Sequence, residues 1–149
     1  MAGGWSTGRR IIVSTLIAGT LDILAAIGMT LNKGRDVEAM LRFVASGPFP
    51  GATKWGAQGA SLGLAVHFTL MAIMAAIFVL AADRIPALKR QWLLWGLLYG
   101  LGTYVVMNLI VVPARFGMPL PSTPVQIVPQ LLCHLLLVGL PIAWVARKA

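Results

Sequence analysis

Four polar side chains, Asp22, His67, Asn108 and His134, each sit inside a long run of apolar residues. A carboxylate held at the centre of such a run costs roughly 2.5–3.5 kcal/mol on membrane-insertion scales unless something pairs with it. An imidazole is the natural partner, because it can take a proton from the acid or hold one against it. Asp22 with His67 or His134 therefore has the makings of a proton- or ion-coupled binding site. Two histidines on different segments also satisfy the first requirement of bis-imidazole haem ligation, which makes haem b an alternative, although no cofactor is required. Asp22 and two imidazoles would supply three zinc ligands, but the ligand spacing of zinc sites is missing and no metal is expected. Tyr104 precedes Asn108 by four residues and Gln130 precedes His134 by four, so both join the set if the segments are helical.

The elements that must position these residues are membrane-spanning helices. Hydrophobic residues make up 58% of the chain and charged residues 11%, more apolar surface than a water-soluble domain of 149 residues can bury. Four runs, 11–31, 58–82, 91–112 and 124–146, reach the ~20 residues needed to cross a hydrocarbon core. Apart from Asp22 they contain no charge, and they lack the alternation of a membrane β-barrel. The first run exceeds the 7–15 apolar residues of a secretory signal and is read as a retained helix. At 1.5 Å of rise per residue, Asp22, His67 and His134 all lie about 14 Å from the loop-side end of their spans. Equal depth predicts one constellation, with Asn108, Gln130 and Tyr104 above it.

Small residues mark the faces that meet other helices, since close approach drives association inside lipid. Gly59 and Gly63 form one GxxxG stripe that runs on to His67, and Gly96 and Gly100 form a second that runs on to Tyr104 and Asn108. These glycines are expected to pack helices, either around a wet cavity or against another chain. Between the first two spans, Val37, Met40, Leu41 and Val44 carry the spacing of a short amphipathic helix lying at the membrane interface. The connection 83–90 is short enough to make the second and third spans antiparallel neighbours. Thr123, Pro124 and Gln126 read as a capping box that opens the fourth span, and Pro129 and Pro141 should bend it.

Basic residues divide seven to five between the two sides. Arg9, Arg10, Arg84, Lys89, Arg90, Arg147 and Lys148 oppose Lys33, Arg35, Arg42, Lys54 and Arg115, which predicts cytoplasmic termini. Clusters this short, flanking apolar runs, do not make a nucleic-acid surface; the expected partner is the lipid bilayer, with room for a homodimer or a larger membrane complex. Cys133 is the lone cysteine. No nucleophile with a base partner, phosphate loop or carboxylate pair is evident, so an enzyme is disfavoured.

The stretches GTLDI (residues 19–23), LGLAVHF (62–68), YVVMN (104–108) and HLLLVGLPIA (134–143) resemble small four-span bacterial inner-membrane proteins to which no activity is assigned. The resemblance covers nearly the whole chain and implies a bacterial plasma-membrane location. The expected fold is thus a single all-α unit, an integral membrane four-helix bundle with a short interfacial helix in its first loop. The expected function is that of a polytopic membrane protein with an intramembrane polar cluster, with a proton-coupled transporter or an accessory subunit of a membrane complex as alternatives.

Overall fold

Inside a hydrocarbon layer no water is present to bond backbone N–H and C=O groups, and the apolar runs meet that demand as helices. The computed structural model describes residues 4–149, leaving residues 1–3 of the expected single unit outside it. Helices α1 (Thr7–Asn32), α3 (Gly56–Arg84), α5 (Trp92–Phe116) and α6 (Pro124–Ala146) are each long and apolar enough to cross a membrane. The amphipathic segment forms α2 (Val37–Ala45), and the short α4 (Pro86–Arg90) links α3 to α5; no strand is present among the described residues. Three of the spans run past their apolar cores, because polar ends continue the helix into the headgroup region. At the start of α1, Ser6 caps the helix by accepting from the Arg9 N–H.

The punctuation in the sequence maps onto these boundaries. Asp36 caps α2, accepting from the N–H groups of Glu38 and Ala39. Gln126 reaches back to accept from the Ser122 and Thr123 N–H groups, starting α6 at Pro124. Gly117 closes α5 in the left-handed conformation (φ 62°), which a residue with a Cβ adopts only with strain. Pro141 does not simply bend α6. The turns before it widen into a π-helical segment, Cys133–Gly139, and α5 does the same over Val105–Val111, just before Pro113. A wider turn moves the carbonyl that a proline ring would otherwise strike, so both prolines are accommodated within continuous spans.

Among the four spans, packing is closest between α1 and α3, between α6 and α1, and between α5 and α6, while α2 lies closely along α3. The two ends of the described chain share one end of the bundle, where the Trp5 N–H donates to the Lys148 carbonyl. That near end holds the core, in which Ala18, Ala75, Ala82, Val138 and Ala143 are buried beside Phe78 and Ile142. Small residues face inward and Ile12, Leu16, Leu24, Ile73 and Leu98 face outward, the inside-out pattern of a bundle solvated by lipid. Spans α3 and α5 are less intimate than their short connection suggests. They meet through Tyr99, whose hydroxyl donates to the Met74 carbonyl and whose ring lies 5.0 Å from Phe78, and toward the far end they separate around a cavity.

The near end is also tied electrostatically. Arg10, only 3% exposed, donates to the carbonyls of Trp5 and Ala146, to Thr7, and to Asp83 at 2.8 Å; Lys89 sits 3.0 Å from the other Asp83 oxygen. One guanidinium thus joins the N-terminal segment to the ends of α3 and α6. Arg147 over Trp92 and Lys148 over Trp144 add cation–π contacts at the same level.

Candidate functional site

Asp22 and His67 face one another across the α1–α3 interface. Gly19, one turn before Asp22, has no side chain, and a Cβ there would lie 2.6 Å from the Phe68 ring, so the glycine lets α3 approach α1. The same approach puts His67 Nε2 2.9 Å from the Gly19 carbonyl. A carbonyl only accepts, so Nε2 carries the hydrogen and the bare or charged nitrogen is Nδ1. That nitrogen lies 4.0 Å from Asp22 Oδ2, within ion-pair range and just beyond direct hydrogen-bond reach. The His67 and Asp22 side chains are 12% and 23% exposed, about 15 Å from the far ends of their helices by residue count.

The chemistry of this pair follows from counting protons. With Nε2 committed, one proton can sit on the carboxyl facing a neutral ring, or on Nδ1 facing a carboxylate. Either way the pair is neutral as a whole. Adding a proton leaves an unpaired imidazolium, and removing one leaves an unpaired carboxylate, each costly in apolar surroundings. The pair is therefore a one-proton site whose loading is tied to the access of water or of a counter-charge.

His134 belongs to a second, separate network between α5 and α6. The Thr103 hydroxyl donates to the Gly100 carbonyl at 2.8 Å and so accepts from His134 Nδ1–H at 3.0 Å. The remaining lone pair, on Nε2, accepts from Asn108 Nδ2 at 3.2 Å, while the Tyr104 ring meets the imidazole edge to face with centroids 5.9 Å apart. His134 is a neutral ring with both nitrogens satisfied, 8% exposed, and the Thr103 hydroxyl has its hydrogen turned away from the ring. This cluster is a clasp. It sits where Gly100 and Gly139 let the two helix backbones touch: a Cβ on Gly100 would overlap the His134 carbonyl. Gln130 is half-buried on the same helix and makes no side-chain hydrogen bond among the described residues.

The single constellation expected from equal depth thus resolves into two pairs, Asp22 with His67 and Asn108 with His134. No hydrogen bond or ion pair joins them among the described residues. Depth alone does not bring side chains together; direction around the helix matters equally, and His134 lies in a π-turn that aims it at α5. The same directions separate the imidazoles, and no group of three His, Cys, Asp or Glu side chains able to hold a metal converges among the described residues. Haem ligation through His134 Nε2 would need the ring to give up its bond from Asn108.

Gly59 and Gly63 do pack, but neither on a wet cavity nor on another chain. A Cβ on Gly63 would overlap the Leu41 carbonyl and one on Gly59 the Ala52 carbonyl, so α2 and the turn after it already fill this stripe. Thr103 escapes a reading that follows steps of four from Gly100; a step of three reaches it on the same face. Comparison with protein-family models, with curated proteins and with solved structures finds no match to the chain.

Proposed function

We propose that this chain is a small proton-coupled carrier of the bacterial plasma membrane, with both termini in the cytoplasm and the Asp22–His67 pair as its proton site. One observation carries the reading: a carboxyl within the apolar part of a span faces, at 4.0 Å, an imidazole whose other nitrogen is fixed on the Gly19 carbonyl. That arrangement holds one proton and resists holding none or two. A carrier uses such a site by letting the substrate-loaded and empty states favour different protonation. The excess of basic residues at the near end supports the orientation. With Gly59 and Gly63 covered by the chain's own α2 and the turn after it, that stripe supports neither the wet cavity of a carrier nor the docking face of an accessory subunit, and the reading rests on the Asp22–His67 pair.

The test uses proteoliposomes that enclose a pH-sensitive dye under an imposed pH gradient and are challenged with a panel of small solutes. A solute that dissipates the gradient through the native protein and fails to do so through Asp22→Asn is expected. Dissipation that Asp22→Asn leaves intact, or no solute-dependent proton movement at all, overturns the reading.

A further inference from the structure

Where α3 and α5 separate, they leave a cavity of about 700 Å³, inside the range of roughly 300–1,000 Å³ typical of small-molecule sites. Leu62, Val66 and Leu70 of α3 face Met107 and Val111 of α5 across it, and the stacked rings of Phe43 and Phe116, 4.3 Å apart, close its far end. Ala65, Thr69 and Val111 are exposed, so the cavity opens sideways, toward lipid. Thr69 spends its hydroxyl hydrogen on the Ala65 carbonyl. Arg115 is then the one charged group on the wall.

Arg115 is held over the far end of the cavity by two bonds, Nε to the Gly47 carbonyl and Nη2 to the Ser46 carbonyl at 3.1 Å. Carbonyls orient the guanidinium without neutralising it. The far side carries five basic side chains against two acidic ones, Asp36 and Glu38, and both acids are engaged by Arg42. Among the described residues no carboxylate pairs with Arg115, and its Nη1 makes no bond. An apolar slot open to lipid, ending in an unpaired cation at headgroup depth, matches one kind of molecule.

We propose that this cavity binds one anionic phospholipid, with an acyl chain between α3 and α5 and the phosphate headgroup on Arg115. Moving the chain from bilayer to cavity changes its surroundings little, since both are apolar, so the headgroup supplies the selectivity. A basic residue near the surface favours an anionic over a zwitterionic lipid by about five-fold.

Native mass spectrometry of protein released from nanodiscs tests this, using equal amounts of phosphatidylglycerol and phosphatidylcholine with identical chains. The native protein is expected to retain one phospholipid, phosphatidylglycerol over phosphatidylcholine by about five-fold. Arg115→Gln should retain one lipid with no preference. Ala65→Trp and Val112→Trp, which fill the cavity from opposite walls, should retain none, scored on whichever keeps native helicity by circular dichroism. Equal retention of both lipids by the native protein overturns the proposal, as does unchanged retention in the folded tryptophan variants. Retention of no lipid, with disulfide cross-linking of Val111→Cys between chains, overturns it in favour of a second copy of this chain.

Discussion

Two glycines on one turn of α5 separate packing from helix propensity. Gly100→Ala places a Cβ 2.7 Å from the Leu135 Cα and closer still to the His134 carbonyl, both backbone atoms that no rotamer change can move. Gly102→Ala meets nothing within 4 Å. Both substitutions gain the same helix propensity, about 1 kcal/mol for alanine over glycine, and that gain cancels in their difference. What remains is the cost of overpacking the α5–α6 contact, about 1–3 kcal/mol, which should appear as Gly100→Ala being less stable than Gly102→Ala by that amount. Reversible unfolding of the purified protein in mixed micelles, followed by far-ultraviolet circular dichroism, measures the difference. Equal stabilities within about 0.5 kcal/mol, or the opposite order, would refute the backbone contact on which the His134 clasp depends.

Two further substitutions separate the polar groups by role. Asp83→Ala removes the carboxylate from a guanidinium that is 3% exposed and should cost about 2–3 kcal/mol in the same unfolding assay. That is less than for a fully enclosed pair, since Asp83 keeps 28% of its side chain in contact with solvent; a loss below 0.5 kcal/mol would mean that Arg10 finds another anion. His134→Leu leaves the Asn108 amide without its acceptor, at a cost of about 1–3 kcal/mol, and should leave Asp22-dependent proton movement unaltered. A variant as stable as the native protein, or one that abolishes that movement, would put His134 outside the role assigned to it.

The four crossings were legible because length and apolarity alone decide them, and α2 was legible because Val37, Met40, Leu41 and Val44 keep one face. The direction of His67 was readable too: it continues the Gly59–Gly63 stripe, and the stripe faces protein. What covers those glycines was not readable, because a stripe of small residues says that something approaches closely and not what does. The division of the polar residues into two pairs was hidden for another reason. The π-turn before Pro141 changes the angular step, so the face of His134 cannot be counted from regular 3.6-residue geometry. Arg115 was counted for orientation alone, since its position over an apolar cavity depends on α3 and α5 separating.

Nitrogen-15 magnetic resonance of histidine-labelled protein in nanodiscs examines the Asp22–His67 proton most directly, and with only two histidines in the chain His67→Gln assigns the spectrum. Replacing Asp22 by asparagine should change the His67 Nδ1 signal, while His134 keeps the pattern of a neutral ring protonated at Nδ1. A His67 signal indifferent to the loss of the Asp22 carboxyl would contradict the account.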